Sequence, residues 1–165
     1  MTGEDFAWAL GRRYMGWPAR FFTRAKAYGS ENVPRTGGCV YAINHLHWID
    51  VPIVGSLSPR TVRFVAKSEA TSFPGLGRFL QWHGTIGVRR GESDRDAVRR
   101  MRDAARDGHV VGLFVEGTRQ KHGRPGTAQP GAAMVALGWK LIPVMVGNTN
   151  CAPPLGIENV PFILS

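Results

Sequence analysis

The sequence predicts an α/β fold, a mainly parallel sheet flanked by helices, with an N-terminal amphipathic helical segment ahead of it. Three observations carry that reading. Short apolar stretches rich in β-branched residues alternate with helical patterns, glycine and proline separate them, and 165 residues suffice for one domain with a real core but not for two. The strands are read at Cys39 to Ile43, Val62 to Ala66, Thr85 to Val88, Val110 to Val115 and Leu141 to Val146. Strands that alternate with helices favour parallel pairing and place a site where strands end in loops.

Ahead of the first strand, Phe6, Leu10, Tyr14, Trp17 and Phe21 recur at intervals of three and four, interleaved with Arg12, Arg13, Arg20 and Arg24. Pro18 interrupts the pattern, so two short helices joined near Trp17 and Pro18 are expected. The segment either dips into a headgroup boundary with its arginines on anionic lipid or packs on the domain's own core. Farther along, Ser93 as N-cap with Asp96 three residues later starts a helix that turns Ala97, Met101 and Ala105 inward and stops at Gly108. Its Arg95, Arg99, Arg100, Arg102 and Arg106 make a solvated basic face that also suits an acidic carrier protein. A shorter helix begins near Pro130, an allowed first-turn position, and ends by Gly138. Pro161 to Ser165 form an apolar end with nothing to cover it, as expected of a truncated domain or one capped by a partner.

The formal net charge of +9 calls for an anionic partner: a phospholipid surface, a nucleic acid or an acidic soluble ligand. Against nucleic acid, no helix-turn-helix, zinc or aromatic-sheet signature is present. Seventeen of the 21 cationic residues are arginine, which points to a GC-rich bacterial genome. Cys39 and Cys151 have neither metal spacing nor a disulfide framework, so a reducing compartment is expected. No apolar run reaches the roughly 18 residues of a membrane span, and no signal-peptide pattern opens the chain.

The chemistry concentrates just past two of the strands. His45 follows the first, and Asp50 lies five residues on, where a turn can fold the carboxylate back against the imidazole. That carboxylate would fix the tautomer and stabilise the imidazolium formed when His45 takes a proton, a substrate hydroxyl serving as nucleophile. Asp50 before Val51 and Pro52 also reads as a helix N-cap, and the two roles are compatible. His47 beside His45 gives no metal site, because no carboxylate or cysteine follows at ligand spacing. His83, His109 and His122 read as surface or loop residues. Past the strand ending at Val115, Glu116, Gly117, Thr118 and Arg119 form a turn suited to an anion, with Gly117 admitting close backbone approach and Arg119 offering a planar fork.

Asn44-His45 with Asp50, and Phe114-Val115-Glu116-Gly117-Thr118-Arg119, closely resemble the first and third signature blocks of the glycerolipid acyltransferase family, of which lysophosphatidic acid acyltransferases are the best-known members. Gly84-Thr85-Ile86-Gly87-Val88-Arg89-Arg90 resembles the second block and Leu141-Ile142-Pro143-Val144 the apolar strand with its proline. The resemblance runs from Tyr28 to Asn150. Val115 stands where the family usually has proline, His47 where a small residue is frequent, and Arg89 where many members have an acid.

The resemblance implies a glycerolipid acyltransferase-like domain over residues 28–165, possibly truncated at its end, behind a membrane-associating segment at 1–27. It implies transfer of a fatty acyl group from acyl-CoA or acyl carrier protein to a hydroxyl of a lysophospholipid acceptor, foremost 1-acylglycerol-3-phosphate. His45 would be the base and Asp50 its orienter; Arg90, Glu116, Gly117, Thr118, Arg119 and Lys67 would bind substrate. No cofactor or metal is called for, the partner surface is an anionic membrane at its cytoplasmic face, and nucleic acid is not expected. The rivals are an acyltransferase for another lysolipid and a non-catalytic basic lipid-binding module.

Overall fold

A computed structural model describes residues 3–88, 95–120, 124, 126–147 and 161–164. Seven strands among them form one sheet: β1 (Lys26–Tyr28), β2 (Cys39–Ile43), β3 (Val62–Lys67), β4 (Ile86–Val88), β5 (Val110–Phe114), β6 (Lys140–Val146) and β7 (Pro161–Leu164). The order across the sheet is β1-β7-β6-β2-β5-β3-β4. The five strands expected from the sequence are present and mutually parallel, whereas β7 runs antiparallel to β6 and parallel to β1. The apolar stretch 161–164, read from sequence as an uncovered end, is therefore a strand held on both sides. β1 begins at Lys26, inside the stretch expected to belong to the N-terminal segment.

β2 sits at the centre because its side chains are apolar on both faces. Cys39, Val40, Tyr41 and Ile43 are fully buried, which fits a parallel strand covered above and below. Each such Val or Ile contributes about 1.5–3 kcal/mol by leaving water. Pro143 is tolerated in β6 because antiparallel pairing with β7 starts only at Val144.

Helices cover the two faces. On one lie α1 (Gly3–Gly11), α2 (Trp17–Thr23) and α3 (Asp50–Leu57), with Val54 and Trp8 packed against Tyr41, Ile43, Phe64 and Val144. On the other lie α6 (Arg95–Arg106) and α7 (Pro130–Ala136), where Ala97, Met101, Ala105 and Val135 meet Val40, Val111 and Leu113. Two short helices, α4 (Ser68–Ser72) and α5 (Leu76–Trp82), join β3 to β4. The inward set expected for α6 is buried as read. Its C-terminus closes with Gly108 N–H on Ala105 O and His109 N–H on Ala104 O, while Ser93, the expected cap, lies outside the described residues.

The N-terminal segment corrects one expectation. Instead of two helices broken at Trp17 and Pro18, the backbone stays helical through a wide π turn, Arg12–Gly16, that closes with Trp17 N–H on Arg12 O. The wide turn absorbs the ring and the missing donor of Pro18. One face of the segment packs on the domain, as one of its two alternatives expects, and the other faces outward. Gly16 presses on Ser56 and the Arg12 guanidinium donates to Ser56 O at 3.1 Å, while Phe6, Tyr14, Trp17, Phe21 and Phe22 stay exposed. His83, read as a surface or loop residue, instead packs its ring beneath Gly11 and bonds Phe79 O through Nδ1 at 2.8 Å.

A Cβ on Gly16 would stand 2.5 Å from the Ser56 Cβ, so Gly16→Val has to push the segment off α3. Urea unfolding should register a loss of about 1–3 kcal/mol. Gly131→Ala, whose Cβ meets nothing within 4 Å, should be neutral or slightly stabilising.

Candidate active site

Parallel pairing of β2 with β5, Ile43 opposite Phe114, brings the two sequence motifs out of the sheet side by side. The Val115 N–H donates to Ile43 O at 3.0 Å and extends the ladder by one residue, a bond that the family's usual proline could not make. His45 is then gripped at both ends of its own peptide. Its N–H donates to Glu116 Oε2 at 2.8 Å and its carbonyl accepts the Gln120 N–H at 2.8 Å.

The His45 side chain is fixed by Asp50. Asp50 Oδ2 lies 2.9 Å from His45 Nδ1 and also accepts the backbone N–H of Leu46 at 2.7 Å and of His47 at 2.8 Å. Asp50 is fully buried at the first position of α3, where the helix N-terminus favours its negative charge, and Oδ1 has no hydrogen-bond partner among the described residues. It does not cap α3 through its side chain. A carboxylate at this position makes Nδ1 the protonated nitrogen and leaves Nε2 as the lone-pair site. The ring stacks on Phe114 with centroids 4.0 Å apart and remains 17% exposed, so it is braced on one face and open to a ligand. Phe64 stacks behind Phe114 in turn.

Asn44 holds the other side of the turn, a role that sequence reading did not assign. Its amide donates from Nδ2 to Val146 O at 2.8 Å and accepts the Val146 N–H through Oδ1 at 2.6 Å. The side chain thus continues the β2–β6 ladder after the backbone has left it. An amide with one donor and one acceptor group directly after a strand is the signal that could have revealed it.

The remaining site residues fall into four groups. Glu116, expected to bind substrate, is buried, and its two oxygens accept the N–H groups of His45 and, at 2.9 Å, Gly126. It clamps the turn that carries His45 to Gly126. Gly117 has φ +66°, which its lack of a Cβ permits, and Thr118 and Arg119 beside it are exposed. Lys67, expected just past a strand, is the last residue of β3 and is exposed on the same sheet edge. Arg90, with Arg89 and His122, lies outside the described residues, though Val88 pairs with Lys67 and brings the second block to that edge. Among the described residues no group of three or more His, Cys, Asp or Glu could hold a metal ion, and no helix is long and apolar enough to cross a membrane.

A small apolar cavity of about 90 Å³ opens behind this edge on the α3 side, lined by Trp8, Met15, Val51, Pro52, Phe64 and Phe79. Phe64 in its lining stacks on Phe114, which stacks on His45.

The model of the family described as Acyltransferase matches residues 24–147. The chain belongs to the Acyltransferase family. This acyltransferase domain is 29% identical over 144 residues to a chloroplastic 1-acyl-sn-glycerol-3-phosphate acyltransferase of Brassica napus, covering 84% of this chain and 42% of that protein. It is 32% identical over 93 residues to a lyso-ornithine lipid O-acyltransferase of Pseudomonas aeruginosa, covering 52% of this chain and 35% of that protein. The chain thus spans less than half the length of these two relatives. The crystal structure of the 1-acyl-sn-glycerophosphate acyltransferase from Thermotoga maritima superimposes with a TM-score of 0.69 at 23% identity, over 93% of this chain and 67% of that one, and so shares the fold.

Asn44→Ala strips Val146 of both its side-chain partners in a buried place. Chemical denaturation should show a loss of about 1–3 kcal/mol, most of it desolvated backbone left unpaired. Stability within a few tenths of a kcal/mol of the unmodified chain would show that Asn44 carries no such load.

Proposed function

We propose that this acyltransferase domain moves a fatty acyl group from a thioester donor to the free hydroxyl of a lysophospholipid, with 1-acylglycerol-3-phosphate as the acceptor. The observation that carries the proposal is His45, held by Asp50 through Nδ1, with Nε2 having no hydrogen-bond partner among the described residues, beside an exposed turn bearing Arg119. The family match and the name of the Brassica napus relative support the acceptor class.

In this mechanism the acceptor hydroxyl gives its proton to His45 Nε2 as its oxygen attacks the thioester carbonyl. Asp50 stabilises the imidazolium, the tetrahedral intermediate collapses with cleavage of the carbon–sulfur bond, and Nε2 returns the proton to the leaving thiolate. Such a base contributes about 10²- to 10⁴-fold, and alignment of the acceptor supplies much of the rest. Arg119, Lys67 and Arg90 would grip the acceptor phosphate; the apolar cavity behind Phe64 would house an acyl chain. No step in this sequence needs a metal or cofactor.

The exposed aromatics of α1 and α2, with Arg13, Arg20 and Arg24 among them, would rest in the headgroup layer of an anionic membrane at its cytoplasmic face and bring the cavity mouth to its substrate. A second reading of the acceptor, a lysolipid with an amino-acid head group, draws on the Pseudomonas aeruginosa relative and on His47 beside the catalytic pair.

Thiol release from a long-chain acyl-CoA, or from the acyl carrier protein thioester, should depend on lysophosphatidic acid and should drop by at least about 100-fold in His45→Ala. Release that survives the substitution would remove His45 from the chemistry. Arg119→Ala should raise the KM for lysophosphatidic acid by about tenfold while leaving the donor KM in place; a shift confined to the donor, or faster turnover of a phosphate-free lysolipid by the unmodified chain, would favour the second reading.

A further inference from the structure

Resting on the thioester reading above, we propose that the outer face of α6 is the docking surface for an acidic protein that carries the acyl thioester. Arg95, Arg99, Arg102 and Arg106 follow one another at spacings of four, three and four, so they form a single stripe opposite the buried Ala97, Met101, Ala104 and Ala105. All four are exposed. The stripe is roughly 16 Å long at 1.5 Å per residue, the length of a three-turn helix on a partner. Asp96, Asp103 and Asp107 flank it on one side, Asp103 reaching Arg106 at 2.6 Å and Arg99 at 3.9 Å, and such exposed pairs open readily to a competing carboxylate. Arg100 points elsewhere and donates to Gly87 O, so it is not part of the stripe.

The fold decides which anionic partner can reach this face. α6 packs on the side of the sheet opposite α1, α2 and α3, so a bilayer touching the exposed aromatics of the N-terminal segment lies across the sheet from the stripe. A second copy of this chain, itself at +9, would be repelled. What remains is a soluble anionic surface, and the site needs one soluble reactant, its acyl donor.

A second feature ties the stripe to the chemistry. An open groove of about 660 Å³ runs between α6 and α7, from Arg95 and Met101 past Val135 to Val115 and Gly117. Those last two residues flank Glu116, the clamp on the His45 peptide. A flexible thioester arm rooted in a protein on the stripe would follow this groove to the edge of the sheet where Nε2 waits. Its acyl chain would then turn over that edge toward the apolar cavity on the other face.

The test compares palmitoyl-CoA with palmitoyl thioester on acyl carrier protein, for the unmodified chain and for a variant carrying Arg95→Gln, Arg99→Gln, Arg102→Gln and Arg106→Gln. Glutamine keeps helix propensity, and circular dichroism checks the fold. The KM for the carrier-bound donor should rise on the order of tenfold in the variant and become far less sensitive to salt, with the KM values for palmitoyl-CoA and lysophosphatidic acid unchanged. Chemical-shift changes on titration with the carrier, which need no turnover, should concentrate along α6 and vanish in the variant. An equal loss with both donors, unaltered use of the carrier, or no shifts along α6 would overturn the docking surface while leaving the acyltransferase reading standing. Weakened flotation with anionic vesicles would instead make the stripe a membrane contact.

Discussion

Parallel pairing of β2 with β5, Ile43 opposite Phe114, is the constraint from which the site follows. Two segments 71 residues apart leave the sheet together, and the first consequence is the bond from the His45 N–H to Glu116. The second is the stack of His45 on Phe114. With the peptide held at both ends and one face of the ring braced, Asp50 has only to set the orientation and tautomer. Because Asp50 Oδ2 also accepts two backbone N–H groups, the atom that orients the base is the same one that shapes the turn. Losing it would cost local structure as well as chemistry.

The sheet also separates two environments. On the α3 side, glycine contacts seat a helical segment whose outer surface is aromatic and basic, and beneath it lies an apolar cavity. On the other side, α6 presents arginine to water beside an open groove. The imidazole stands where the two sides meet, at the C-terminal ends of the parallel strands.

Much of this was legible in the sequence, and the limits have physical causes. β2 and β5 declare themselves because both faces are buried, so their residues run continuously apolar; β6 is legible because its exposed face, Leu141, Pro143 and Met145, is apolar as well. The three-residue β1 has no pattern to read, and β7 looks uncovered because its partner β1 comes from the other end of the chain. The His45 and Asp50 pair is visible because base and carboxylate are five residues apart and meet through one turn. The bonds of Asn44 to Val146, 102 residues away, and of Glu116 to His45 depend on β2 lying between β6 and β5, and no local spacing encodes that order. Local spacing therefore reads Glu116 as a ligand for substrate, while the structure shows its two oxygens accepting the N–H groups of His45 and Gly126; a π turn leaves no trace in periodicity, so the helical run through Pro18 is not legible there.

The central claim is that Asp50 holds His45 in the tautomer that presents a bare Nε2. Nitrogen-15 NMR of the imidazole, at a pH where the ring is neutral, reads that directly, with His45→Gln to assign the signal. The expected result is a single Nδ1–H tautomer that becomes a mixture in Asp50→Ala. A ring protonated at Nε2, or a mixture already present in the unmodified chain, would contradict it.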